Sequence, residues 1–212
     1  MSLQLASTTP KKSKLCIVLD IDETLIHCEE ENMRKNHLCT KLKYKEKGKD
    51  ATICITKRPY LDEFLNFCTV VLDKVCVWSA ADSEYVHCVV NHIFKKLPKP
   101  HVVYTYDHTS VDEEDNVFKP LKKICNNEGI DLKYTLLIDD NEVNCEKNQD
   151  NAVKIKKYLY SSRNKKGVND EELKKLMGWI WKHKDVENVT NLNKENVFDK
   201  MYFSPGIIET MR

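Results

Sequence analysis

Leu15-Cys16-Ile17-Val18-Leu19-Asp20-Ile21-Asp22-Glu23-Thr24 is the stretch on which the fold turns. Five apolar residues in a row, with no polar alternation, suit a strand buried on both faces, as in a parallel sheet. The run stops at Asp20, and a second carboxylate follows at Asp22. Lys74-Val75-Cys76-Val77-Trp78 repeats the pattern and stops at Ser79. Tyr134-Thr135-Leu136-Leu137-Ile138 repeats it again and stops at Asp139-Asp140. Residues 101–105 and 152–158 are further strand candidates.

Helical signals lie between these runs. Arg58-Pro59 opens a helix through Leu61, Phe64, Leu65 and Cys68, and Asp82 can cap one running to about Lys96. Residues 119–127 form a short helix that Gly129 ends. Asn169 with Glu172 reads as a capping box before a last helix striped by Leu173, Leu176, Met177 and Ile180. Residues 38–44 and 51–56, joined by a charged turn with Gly48, read as a β-hairpin, and residues 107–116 as an acidic loop. Strands alternating with helices predict an α/β fold with a mainly parallel sheet, whose ligand site lies beyond the carboxyl ends of the strands.

The 212 residues suffice for one domain with a real core, expected over residues 14–187. Residues 1–13 read as a disordered tail, and residues 188–212 as an extension that packs on the domain or is partly disordered. The net charge of +1 gives no general attraction to nucleic acid or membrane. No segment approaches the ~18 apolar residues of a membrane span, and the polar N-terminus is not a signal peptide. Nine scattered cysteines, an odd number with no C-x-x-C pair, argue against a disulfide framework and for a reducing compartment. Cys16, Cys54 and Cys76 fall in apolar runs as small hydrophobes, and His27, Cys28, His37 and Cys39 match no common zinc spacing.

The three polar strand ends supply a coherent chemistry. A carboxylate at a strand end, Asp20, can attack phosphorus and form an aspartyl-phosphate. Asp22 can protonate the leaving oxygen and later deprotonate water. Asp139 and Asp140 offer oxygen ligands to a hard cation that offsets the repulsion between Asp20 and a phosphate dianion. Lys119 adds a fixed positive charge and Ser79 a hydroxyl donor. Each has a plainer alternative. Paired Asp residues form turns, Asp139-Asp140-Asn141 can cap a helix, a lone lysine is commonly a surface residue, and Ser79 is a small residue at a strand end. It is their order and shared context that fit one mechanism.

The sequence resembles the haloacid dehalogenase superfamily, whose first motif is D-x-D-x-T. Within it, the chain resembles the phosphatases of the RNA polymerase II carboxy-terminal domain (CTD) and their small CTD phosphatase relatives. The residues that carry this are Asp20-Ile-Asp-Glu-Thr-Leu-Ile-His27, Lys57-Arg-Pro-Tyr-Leu-Asp-Glu-Phe-Leu65, Val77-Trp-Ser-Ala-Ala81, Val117-Phe-Lys-Pro-Leu121 and Leu137-Ile-Asp-Asp-Asn141. In Trp78-Ser79-Ala80, Lys119-Pro120 and Asp139-Asp140 it looks nearest to the branch of the ubiquitin-like-domain CTD phosphatase. Residues 98–117, usually linked to substrate choice, match the family poorly.

The resemblance implies a three-layer Rossmann-like domain with a small β-hairpin insertion and no large cap. It implies Asp20 as nucleophile and metal ligand, and Asp22 as acid/base with its backbone carbonyl on the metal. Ser79 and the Ala80 amide would hold phosphate, Lys119 would orient and neutralise, and Asp139 and Asp140 would complete an Mg2+ sphere. Thr24 would brace the loop beside the phosphate site. The expected substrate is a phosphoserine or phosphothreonine segment of a protein, met inside the cell, in cytoplasm or nucleus, by a monomer or a homodimer. The alternatives are a phosphatase for a small phosphoester or a nucleic-acid end, and a non-catalytic binding protein of the same fold.

Overall fold

A computed structural model describes residues 12–30, 38–161 and 167–200. Its centre is β1 (Cys16–Leu19), which pairs in parallel with β5 (Lys74–Trp78) on one side and β9 (Thr135–Asp139) on the other. Cys16 is level with both Lys74 and Thr135, so the three runs end together. β10 (Ala152–Lys154) and β6 (Val103–Tyr104) close the edges, giving the order β10-β9-β1-β5-β6.

The twofold alternation of a strand explains the layers. Ile17 and Leu19 point into one apolar cluster, and Cys16 and Val18 into another. Three helices cover the first face: α1 (Leu61–Val71), α2 (Ser83–Ile93) and α5 (Glu172–His183). They contribute Phe64, Leu65, Val86, Val89, Leu176 and Ile180, all fully buried. α3 (Leu121–Glu128) supplies Leu121, Ile124 and Cys125 to the second face, with Gly129 ending it in the left-handed region at φ 61°. Burying each such aliphatic side chain stabilises the fold by ~1.5–3 kcal/mol, which is why unbroken apolar runs become central strands. α4 (Glu142–Lys147) follows β9. Val189 and Val197, beyond α5, also join the first cluster.

Several local readings need correction. The insertion after β1 is a three-stranded antiparallel sheet, not a hairpin, in the order β2-β4-β3. β3 (Thr40–Glu46) and β4 (Lys49–Lys57) are the expected pair, and β2 (Ile26–Glu30) joins along the far side of β4. The acidic segment holds a small hairpin of β7 (Ser110–Val111) and β8 (Val117–Phe118). The strand expected over 101–105 is shorter because residues 106–108 turn into a 3-10 helix, and that over 152–158 ends at Lys154.

Helix starts shift as well. Asp82 sits at the N-cap of α2 but makes no side-chain cap bond. The N-cap of α5 is Glu171, which makes no side-chain cap bond, and it is Asp170, one residue earlier, whose Oδ1 accepts from the Glu172 amide at 3.1 Å, so the Asn169–Glu172 capping box does not form. α1 begins at Leu61 and α3 at Leu121, which leaves Arg58 and Lys119 in the extended segments before their helices.

The cysteine reading is corrected too. The structure joins Cys39 and Cys54 in a disulfide, because β3–β4 pairing brings their Cα atoms to 5.5 Å. The other seven are not joined in disulfides. Of the tail expected over residues 1–13, residues 1–11 lie outside the described residues, as does the end of the C-terminal extension, 201–212. Among the described residues, no helix is long and apolar enough to cross a membrane.

Candidate active site

The shared register of β1, β5 and β9 brings Asp20, Ser79 and Asp139-Asp140 to one edge of the sheet. Asp20 is only 6% exposed. Lys119, 2% exposed, reaches in from the segment after β8, and its ammonium donates to Asp20 Oδ1 and, at 2.8 Å, to Asp139 Oδ2. The surface-lysine reading of Lys119 therefore falls. Thr24 Oγ1 donates to Asp140 Oδ1 at 3.1 Å, tying the loop after β1 to the end of β9.

Asp22 faces another way. Its Oδ2 accepts from Ser79 Oγ at 3.2 Å, and its Oδ1 from the Tyr85 hydroxyl. Ser79 Oγ in turn accepts from the Ala81 amide at 3.1 Å. Ala80 lies on the wall of an open groove of about 820 Å3 that Asp22, Tyr85 and Tyr106 also line. The structure thus divides the expected residues into two groups. Asp20, Lys119, Asp139, Asp140 and Thr24 form one, and Asp22, Ser79 and Ala80 border the groove.

Ligand oxygens of Asp20, Asp139 and Asp140 lie within 4.8 Å of one another. Asp20 Oδ2 is buried and has no hydrogen-bond partner, an arrangement that is costly unless something binds it. An all-oxygen donor set with one orphaned carboxylate oxygen suits a hard divalent cation such as Mg2+. The side chain of Asp22 is not in this set, which leaves only its backbone carbonyl for the metal role.

The electrostatics agree. Burial pushes the Asp20 carboxyl up, to about 8, against the pull of Lys119 and with help from Asp139 and Asp22. Burial and the neighbouring Asp139 raise Asp140 as well. Burial alone would depress Lys119, but Asp20 and Asp139 outweigh it, so its ammonium is held well above the usual lysine range. One fixed cation among three carboxylates leaves the cluster short of positive charge.

Sequence reasoning missed four supporting residues. Asn144 donates to Asp139 Oδ2 at 3.0 Å and accepts from the Lys119 amide at 2.9 Å. Asn148 donates to the Lys119 carbonyl and accepts from the Leu121 amide, both at 2.9 Å. Asn144 lies in α4 and Asn148 at its C-cap, a spacing of four that turns both towards the lysine segment, and that spacing was the only available signal. Tyr85, on the first turn of α2, lay in a helical pattern that reads as core. Arg58 is 1% exposed and binds Asp170, the Thr24 carbonyl and the Lys156 carbonyl. It was legible only as part of a family motif.

A sequence model of the NLI interacting factor-like phosphatases matches residues 15–190. The chain belongs to this family. The CTD small phosphatase-like protein 2 of Dictyostelium discoideum is 27% identical over 177 residues, covering 83% of this chain and 28% of that protein. The nuclear envelope morphology protein 1 of Saccharomyces cerevisiae is 26% identical, over 71% of this chain and 36% of that protein. The chain therefore spans about a third of these relatives' length. Among solved structures, the fission yeast RNA polymerase II CTD phosphatase Fcp1 bound to beryllium fluoride superposes with a TM-score of 0.53. It is 19% identical, with 69% of this chain and 42% of that one covered. At that identity the likeness establishes the fold: an α/β domain with a five-stranded parallel sheet and, among the described residues, no large cap.

Proposed function

We propose that this chain is a phosphatase for phosphoserine or phosphothreonine in protein segments, acting through an aspartyl-phosphate on Asp20. The observation that carries the reading is the state of Asp20. One oxygen is held by Lys119, and the other is buried and unsatisfied at the mouth of the sheet. When bound at Asp20, Asp139 and Asp140, with the Asp22 backbone carbonyl, Mg2+ would lower the repulsion between the nucleophile and a phosphate dianion.

The chain's own residues account for the remaining chemistry. An Asp20 oxygen forms a bond to phosphorus while the bond from phosphorus to the seryl oxygen breaks. Asp22 gives its proton to that departing alkoxide. Water then attacks the phosphorus of the acyl phosphate and gives a proton to Asp22, and the bond to Asp20 breaks as inorganic phosphate leaves. Ser79 and the Ala80 amide hold phosphoryl oxygens, and Lys119 fixes Asp20 and offsets the charge. Thr24 braces Asp140.

An open groove beside Asp22 favours a peptide over a small molecule, because closed sites are the ones that envelop small substrates. The groove wall also carries Asp82, Glu84 and Asp107, exposed and without a salt bridge among the described residues, against a single Lys47. Such a wall repels a polyanion, which disfavours a nucleic-acid end as substrate. The full set of Asp20, Asp22, Ser79, Lys119, Asp139 and Asp140 disfavours a purely binding role. The test is turnover of a phosphopeptide panel and small phosphoesters with Mg2+ and with chelator. Phosphopeptide turnover that stops on chelation is expected. Full activity after thorough chelation, or none on any phosphopeptide, would refute the reading.

A further inference from the structure

Tyr85 stands outside every motif used above, yet it makes the closest contact to the proposed proton donor. It lies on the first turn of α2, is 9% exposed, and donates its hydroxyl to Asp22 Oδ1. Its ring meets Tyr44 of β3 edge-on, with centroids 6.1 Å apart and planes at 71°. The phenol is therefore located from two sides, by the edge-on ring and by the carboxylate.

The two oxygens of Asp22 are not equivalent. Oδ1 receives the Tyr85 hydroxyl, which also lies within hydrogen-bond reach of Cys28. The Tyr85 hydroxyl is the donor in this contact, since a carboxylate oxygen can only accept. Oδ2 faces Ser79, whose hydroxyl can rotate and can accept as well as donate. A carboxylic acid with Oδ1 committed in this way must carry its own proton on Oδ2.

We propose that Tyr85 is the positioning residue for proton transfer in this site: its hydroxyl pins Oδ1 of Asp22 and presents Oδ2 to the departing seryl oxygen. The inference rests on the phosphatase reading and deepens it. The base of a catalytic pair is commonly oriented by a third group, and here a tyrosine serves an aspartate. Tyr85 also lines the groove together with Asp22, Ala80 and Tyr106. The side chain that aims the proton thus borders the peptide whose leaving group needs it. A tyrosine with a merely structural role would fill space beside Tyr44 and influence all substrates alike.

The test compares wild type, Tyr85→Phe and Asp22→Asn by rapid quench with Mg2+ present, using a phosphoserine peptide and p-nitrophenyl phosphate. A seryl alkoxide needs a proton as it leaves, whereas p-nitrophenolate needs much less. Tyr85→Phe should slow the first step on the peptide by roughly 10- to 100-fold, reaching at most the lower end of the ~100- to 10,000-fold that acid catalysis supplies, because Asp22 remains. It should slow release of p-nitrophenol by less than about threefold, with peptide KM little changed. In the Asp22→Asn background it should slow the peptide step no further, since the group it positions has gone.

Equal slowing of both substrates by Tyr85→Phe, or undiminished slowing in the Asp22→Asn background, would overturn the proposal. Tyr85→His keeps a ring N–H donor and serves where Tyr85→Phe does not fold. It should keep the two rates within about tenfold of their wild-type ratio, and a larger departure counts against Tyr85 as the positioning group. If wild type turns over neither substrate, the phosphatase reading fails and this inference falls with it. If wild type turns over both but Tyr85→Phe shows no split, only the Tyr85 assignment fails.

Discussion

Replacing Arg58 by methionine keeps most of the side-chain volume and removes every polar contact. The guanidinium side chain has no exposed surface, and Asp170 retains only 11%. Arg58 makes two parallel bonds to Asp170, each 2.8 Å, and donates to the carbonyls of Thr24 at 3.0 Å and Lys156 at 2.7 Å. Arg58→Met leaves a nearly buried carboxylate without its cation and two carbonyls without their donor. Breaking a buried pair from one side costs ~3–5 kcal/mol. For a domain of this size that corresponds to a fall in Tm of roughly 6–20 °C, at 2–4 °C per kcal/mol. Thermal and urea unfolding followed by circular dichroism read it directly. Asp170→Asn should also destabilise, and the double variant should lose at least ~1 kcal/mol less than the sum of the singles, because the partners share one interaction. A loss below ~1 kcal/mol for Arg58→Met, or additivity within ~0.5 kcal/mol, would refute the claim that this pair ties the C-terminal segment to the loop after β1.

Lys119→Ala should fold and lose on the order of a hundredfold or more in turnover, since it removes the fixed cation that donates to Asp20 among the described residues; an unchanged rate would return Lys119 to a structural role. Mg2+ should raise the Tm, because it binds only the folded carboxylate cluster. At a hundredfold excess over Kd the gain is about 2.7 kcal/mol, roughly 5–11 °C, and it should shrink in Asp140→Asn; a flat response in calorimetry would contradict the cluster as a cation site. Phosphopeptides with lysine beside the phosphoserine should be turned over several-fold faster at low salt than those with aspartate there, with the difference fading as salt rises. The reverse order in kcat/KM would show that Asp82, Glu84 and Asp107 do not face the peptide.

The layers and the site edge were legible for one physical reason. Strands buried on both faces must be apolar throughout, so residues 15–19, 74–78 and 134–138 announced themselves, and their polar stops marked the edge where the candidate site lies. β2 carried no such mark. His27, Cys28, Glu29 and Glu30 become a strand because β4 offers them a free edge, which is a long-range event. The β7–β8 hairpin hides within a run of acidic residues for the same reason. Asp170 was invisible as the partner of Arg58, since the two lie 112 residues apart in the chain. Cys39 and Cys54 looked unrelated until β-pairing set them side by side. Asp22 was identified by its place in a motif, but the direction of its carboxylate depends on Tyr85, which is brought in by the helix that follows β5. Orientation of this kind is decided by packing, and local sequence does not encode it.

The central claim is that Asp20 carries the phosphoryl group. A phosphoserine peptide labelled in its phosphate, mixed with the protein and Mg2+ and quenched in acid within milliseconds, tests it directly. The account predicts protein-bound label that is stable to acid, released by hydroxylamine as an acyl phosphate must be, and absent from Asp20→Asn. That variant should keep less than about a hundredth of the rate, a loss of at least ~3 kcal/mol in transition-state stabilisation. Rapid peptide turnover with no labelled protein at any quench time, or label that persists in Asp20→Asn, would contradict it.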